Sequence, residues 1–210
     1  MNDPVNSAFA PSALPSSFGS LEQTRIALCP DISLWLLSSE VDLERACREL
    51  AEVPAPPYWA FCWGAGQALA HYLSLNPREV RGLRVVDLGT GSGIVAIAAA
   101  RAGAARVTAV DLDLDALRAV RANALLNQVR IETRTELPVH WDVLLAADVL
   151  YEPALRERVQ ALARPDRRVL IADPHRPGSA LRMGTALAEI EAATLPDVDP
   201  PVRRITISAL

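Results

Sequence analysis

The tract Val85-Val86-Asp87-Leu88-Gly89-Thr90-Gly91-Ser92-Gly93 combines one carboxylate with three glycines at alternate positions. Glycines spaced in this way let the backbone take positive φ and let a ligand approach it closely. The free N–H groups of a following helix would then face that ligand. Such a loop also occurs in dinucleotide-binding folds, whose fingerprint needs Gly or Ala where this chain has Ile94. Asp87, two residues before Gly89, would repel a pyrophosphate but would favour a ligand carrying positive charge. Downstream, Asp111 ends a second apolar run and is suited to accept hydrogen bonds from both hydroxyls of a ribose. The chemistry implied is the binding of a nucleoside that bears cationic groups and no phosphate.

The elements that must position these residues alternate regularly from residue 84 onwards. Arg84–Leu88, Arg106–Val110, Val129–Thr133, Val143–Ala147 and Val169–Ala172 are expected as strands. Helices are expected at Ile94–Ala102, Asp115–Leu126, Pro153–Ala163 and Ser179–Ala188. Ile190–Leu195 and Arg204–Leu210 read as an antiparallel hairpin. Upstream, periodicity predicts a helix over Gly66–Leu73, a short strand at Ile32–Leu37 and a helix at Val41–Leu50. The class is therefore α/β, with a mostly parallel sheet covered by helices on both faces. Ligands on such sheets bind at the strand carboxyl ends. Asp87, Asp111, Asp148 and Asp173 all fall at or beside those ends and form a shared acidic rim.

Composition narrows the classes further. Hydrophobic residues make up 50% and charged residues 22%, as in a globular domain with one sizeable core. No apolar run reaches the roughly 18 residues of a membrane span. The formal charge of −4 argues against a bulk electrostatic grip on nucleic acid. All 21 basic residues are arginine. Cys29, Cys47 and Cys62, with His71, His140 and His175, show no metal-ligand spacing, so no metal is expected. Residues 1–20 carry one charge, Asp3, and have neither the basic start of a secretory signal nor the arginines of a transit peptide. A cytoplasmic protein with reduced thiols is expected.

The glycine tract and Asp111 resemble the first motif and the ribose-binding acid of class I S-adenosylmethionine-dependent methyltransferases, over roughly residues 55–210. The resemblance implies a Rossmann-like seven-strand methyltransferase fold with a C-terminal antiparallel hairpin and S-adenosyl-L-methionine as cofactor. The chain is expected to divide into a flexible arm (1–20), an N-terminal extension (21–53) and, by the resemblance, a methyltransferase domain (54–210). The resemblance implies that Asp87, Gly89, Gly91, Gly93 and Asp111 hold the cofactor. Its adenine contact is expected after the third strand, near Glu132 or Thr133. Pro56-Pro57-Tyr58-Trp59-Ala60-Phe61-Cys62-Trp63, the stretch Gly66–Leu73, and Ile171-Ala172-Asp173-Pro174-His175-Arg176 are similar to the electron-transfer flavoprotein β-subunit lysine methyltransferases. Gly64-Ala65-Gly66 departs from the Pro-Gly-Gly expected after the tryptophan.

The acceptor side follows from these tracts. The Asn-Pro signature of methylases acting on amino groups of bases or glutamine is absent after the fourth strand. Asp148-Val149-Leu150-Tyr151 stands there instead and resembles seven-strand protein-lysine methyltransferases. Asp148 and Tyr151 are the candidates to orient an amine, with Glu152 behind them and Asp173 able to share the role. Tyr58, Trp59, Phe61 and Trp63 crowd one short tract. Flat rings can wall a sulfonium or an amine by cation–π attraction, so Trp59 is expected against the cofactor; a lid that only packs on the sheet is the other reading. The implied partner is a lysine-bearing protein, electron-transfer flavoprotein β subunit. A ribosomal-protein methyltransferase, a small-amine methyltransferase and a non-catalytic cofactor-binding protein remain rivals. The roughly 50 residues before Ala55 are expected to be too few for the separate substrate domain of the ribosomal-protein enzymes.

Overall fold

A computed structural model of the chain describes residues 20–38, 57–151, 153–176, 184–197 and 203–210. Its centre is a seven-stranded sheet in the order β5-β4-β3-β6-β7-β9-β8. Five strands run parallel: β3 (Arg84–Leu88), β4 (Arg106–Val110), β5 (Glu132–Arg134), β6 (Val143–Ala147) and β7 (Arg168–Asp173). The central strands are short apolar runs because both their faces are covered. Along them the side chains alternate between two cores. Val85, Val107, Leu145 and Leu170 enter one. Val86, Leu144, Val169 and Ile171 enter the other with Trp141 and Val159. The chain leaves β3 for β4 on one side, then crosses to β6 on the other. This switch point opens a crevice at the strand carboxyl ends.

Helices α1 (Gly64–Leu75), α2 (Ile94–Arg101), α3 (Leu114–Leu126) and α4 (Pro153–Leu162) complete the layers. Alanine-rich α2 lies close to the sheet, with Ile94 to Ala99 all buried. The start of α3 is set locally: the Asp113 carboxylate accepts the Asp115 N–H at 2.8 Å, a side-chain N-cap.

The sheet ends differently from expectation. β8 (Thr185–Ala192) and β9 (Arg203–Ala209) form the antiparallel hairpin, with β9 between β7 and β8. The helix expected over 179–188 is corrected at its described end, because Thr185 onwards is strand; 177–183 lie outside the described residues. Thr185-Ala-Leu-Ala-Glu-Ile-Glu-Ala is rich in helix formers, but Ala188, Ile190 and Ala192 alternate inward with exposed Glu189 and Glu191. That period-2 burial and the ladder with β9 outweigh intrinsic propensity. β5 is also shifted, beginning at Glu132 rather than Val129.

The stretch expected to hold one strand is a two-stranded antiparallel ribbon, β1 (Leu21–Ile26) and β2 (Cys29–Leu37). β1 is polar and was hidden from periodicity. β2 buries Ile32, Leu34 and Leu36 in the same core as α1 and α2. The helix expected at Val41–Leu50 lies outside the described residues.

Candidate active site

The glycine loop leaves β3 and folds over the end of β4. The N–H groups of Gly89 and Thr90 donate to the Val110 carbonyl at 2.8 and 3.2 Å. Gly89 has φ +69°, and a Cβ there would stand 2.7 Å from a Val149 methyl. Gly91, at φ +50°, faces open space, with nothing within 4 Å of the Cβ position. A ligand can therefore meet the bare backbone at Gly91. Gly93 caps α2.

Asp111 stands at the end of β4 with both oxygens in use. Oδ2 accepts the Gly91 N–H at 3.0 Å and Oδ1 the Asp113 N–H at 3.1 Å. Each oxygen has a second lone pair, and the residue is only part-buried, so two hydroxyl donors can still be received. Burial raises its pKa against these bonds. Next to it Leu112 is 83% exposed, an apolar surface on the loop side that sequence reasoning passed over. Asp87 is different. Its side chain is buried, and Oδ2 accepts the Thr90 hydroxyl at 2.6 Å and the Ala96 N–H at 3.1 Å. It ties the loop to the first turn of α2 from below. Burial pushes its carboxyl up to about 7, with the nearby Asp111 adding and the two hydrogen bonds opposing.

The second half of the crevice lies at the ends of β6 and β7. Asp148 takes φ +55° and its N–H donates to the Ala172 carbonyl at 3.0 Å. This turn presents its carboxylate to Arg176, which grips both oxygens at 2.8 and 2.7 Å. The Arg176 guanidinium lies over the Trp63 ring, 5.4 Å from its centroid. Trp63 in turn meets Tyr58 edge-on at 5.9 Å and donates its indole N–H to the Tyr58 carbonyl at 3.0 Å. Tyr58 and Tyr151 are both more than half exposed. Asp173 is buried, and its carboxylate accepts the His175 N–H at 2.8 Å. His175 also reaches the Thr206 hydroxyl through Nε2 at 2.8 Å. Burial raises the Asp173 carboxyl, with His175 opposing.

The crevice thus gathers Gly89, Gly91, Gly93, Asp111 and Asp148 at the strand ends, with Tyr151 three residues beyond Asp148, while Asp87, expected to face the ligand, is 2% exposed and supports the loop from beneath. Two further expected residues are placed elsewhere. Trp59 is 2% exposed, so it belongs to the core, and the ring of that tract that meets Arg176, the partner of Asp148, is Trp63. Glu132 begins β5 opposite Thr108, in the middle of β4, and forms an ion pair with Arg106 at 3.3 Å. The rim end of that strand is Arg134, whose carbonyl accepts the Asp111 N–H, so Glu132 stands back from the rim. Glu152 lies outside the described residues. Arg176 was missed as a site residue although its tract was noted; its basic type beside an acidic rim was the available signal.

A family model described as ribosomal protein L11 methyltransferase matches residues 67–168. The electron transfer flavoprotein beta subunit lysine methyltransferase of Xenopus laevis is 37% identical over 166 residues, covering 74% of this chain and 67% of that protein. The Homo sapiens protein of the same name is 36% identical, covering 72% of this chain and 62% of that protein. The chain belongs to the electron transfer flavoprotein beta subunit lysine methyltransferase family. It spans between 62% and 71% of the length of the vertebrate members it matches. A ribosomal protein L11 methyltransferase from Shewanella piezotolerans is 35% identical over 152 residues, covering 68% of this chain and 50% of that protein. The fold is shared with a putative RNA methyltransferase from Pyrococcus horikoshii, with a TM-score of 0.53 at 15% identity over 80% of this chain and 96% of that one. It is shared too with magnesium protoporphyrin IX methyltransferase from Synechocystis with bound SAM, with a TM-score of 0.50 at 19% identity over 69% of this chain and 78% of that one.

Like its family, the protein is an S-adenosylmethionine-dependent methyltransferase. The crevice fits that cofactor: the backbone is bare at Gly91, and Asp111 retains acceptor capacity for a ribose. When bound, that cofactor would supply a methyl group on a sulfonium whose thioether is the leaving group, and the acceptor is the nucleophile, so none is required from the protein.

Proposed function

We propose that the protein methylates lysine on the surface of a folded protein, and that electron transfer flavoprotein β subunit is its substrate. The observation that carries this reading is the Asp148–Arg176–Trp63 arrangement. With Arg176 in place, each Asp148 oxygen keeps a second lone pair, so the carboxylate can still receive an amine beside the guanidinium. Tyr58, which meets Trp63 edge-on, is about half exposed, and so is Tyr151 three residues after Asp148, which suits an acceptor side open to a protein surface. The names of the vertebrate relatives support the choice of substrate.

In this reading Asp111 receives the ribose hydroxyls and the Gly91 backbone lies against the cofactor. Asp148 and Tyr151 orient the amine. A free lysine has a pKa of about 10.4 and must be neutral to attack. The Arg176 cation disfavours the ammonium form of an amine brought beside it, which assists proton loss.

The L11-type match favours one competing substrate. It covers Asp111, Asp148 and Tyr151 but leaves out Trp63 and Arg176, the residues that shape the acceptor side. The test is to incubate the enzyme and cofactor with purified flavoprotein or with ribosomal protein L11, and to map methylated residues by mass spectrometry. Flavoprotein labelling that a Lys→Arg change at the mapped site abolishes is the expected result. Labelling of L11 or of a small amine alone, at equal enzyme concentration, would overturn the substrate.

A further inference from the structure

We infer that Asn123 is a positioning residue that couples the N-terminal ribbon to the cofactor loop. Asn123 sits in α3 and is fully buried. Its Nδ2 donates to the Ser92 carbonyl at 2.9 Å, inside the glycine loop. Its Oδ1 accepts the Trp35 N–H of β2 at 2.7 Å. One carboxamide therefore bridges two segments 57 residues apart (92 − 35 = 57) that share no backbone ladder.

The Ser92–Gly93 peptide is gripped from both sides. Its carbonyl receives Asn123, and its N–H donates to the Thr90 carbonyl at 2.9 Å. This peptide follows Gly91, the position where the loop presents bare backbone. Glycines on either side give the unit little intrinsic preference for one orientation, so an outside donor decides it. Packing adds to this, because a Cβ at Gly93 would stand 3.0 Å from a Val120 methyl of the same helix.

One turn further on, Asn127 at the C-terminal cap of α3 provides a built-in comparison. Its Oδ1 accepts the Ser33 N–H at 3.2 Å and its Nδ2 donates to the Ser33 carbonyl at 2.6 Å. It satisfies both groups of a β2 residue, as a neighbouring strand would, and it also donates to the Asn123 carbonyl at 2.7 Å. Asn127 fastens the ribbon without touching the glycine loop. The two side chains thus separate holding the ribbon from holding the loop. A ribbon that reached the loop only through general packing would make them equivalent.

The inference rests on the glycine loop being the cofactor site, and the experiment separates the two. Calorimetry with S-adenosylhomocysteine on the wild type first tests the loop; no binding would overturn both. Asn123→Ala is expected to weaken binding roughly ten-fold, about the worth of one buried hydrogen bond. Asn127→Ala is expected to lower the melting temperature comparably and to stay within about two-fold of wild-type affinity. Equal loss of affinity in both variants would overturn the inference. Coupling between two sites is reciprocal, so the wild type gives a second readout that does not depend on a variant folding. Saturating S-adenosylhomocysteine should slow amide exchange at Trp35, read by NMR. Unchanged exchange at Trp35 on saturation would overturn the coupling.

Discussion

Asp87 is a buried carboxylate held by the Thr90 hydroxyl and the Ala96 N–H, and burial lifts its pKa to about 7. An unfolded Asp titrates near 3.9. Between these values the folded protein keeps a proton that the unfolded chain has released. This contribution to stability is therefore full below about pH 4 and is lost as the pH rises through 7. In Asp87→Asn, denaturant unfolding should lose this dependence. From pH 5 to pH 8 the variant should gain on the order of 2 kcal/mol relative to wild type; parallel stability curves would refute the assignment. Arg176 gives a second prediction. Arg176→Ala strips both oxygens of Asp148 of their guanidinium partner and removes the cation from Trp63. Turnover should fall about ten-fold or more, because truncating one partner of a mostly buried pair costs several kcal/mol locally. Affinity for S-adenosylhomocysteine should stay near wild type, since the proposed function puts Arg176 on the acceptor side. A variant that lost cofactor binding and kept its rate would reverse this division of the crevice.

Among the elements, the β3–loop–α2 unit tolerates little change. Gly89 carries φ +69°, which is strained for an L side chain, and its Cβ position lies 2.7 Å from Val149. Val149 follows Asp148 at the end of β6, so Gly89→Ala would push one half of the crevice against the other. We expect this variant to lose at least ten-fold in cofactor affinity and about 1–3 kcal/mol in stability. Calorimetry and denaturant melts read the two losses, and wild-type affinity would show that the loop relaxes freely. These elements were the most legible from sequence. β3, β4 and β6 have the expected bounds because each is a short apolar run between unmistakable breaks. β8 was not legible, since its alanines and glutamates suit a helix until β9 supplies a ladder. β1 was not legible either, because its polar residues form a strand only by pairing with β2.

On the scale of the whole molecule, the ribbon and the sheet share one core. Leu34 and Leu36 of β2 are fully buried in the cluster that holds Leu69, Ile97 and Val120. The ribbon should therefore unfold with the sheet. Leu34→Ala is expected to cost about 2–5 kcal/mol and to shift a single cooperative transition. A separate early transition, with the sheet unaffected, would make the ribbon an appendage.

The sequence by itself determined the cofactor class and the place of the glycine loop with its flanking acids. A glycine loop, the acid before it and the acid ending the next strand are consecutive along the chain. Their chemistry follows from local geometry that short-range periodicity already encodes. It determined too that Asp148 and Tyr151 would follow β6. Only the tertiary structure decided what those residues meet. Trp59 and Trp63 are four positions apart in one aromatic tract, yet one is core and the other receives Arg176. Glu132 carries an acid suited to a rim, but its register opposite Thr108 turns it towards Arg106. Asn123 looks like an ordinary helical asparagine until β2 and Ser92 arrive on either side of it. Each of these outcomes depends on which residues distant in sequence become neighbours, and long-range packing and strand register decide that.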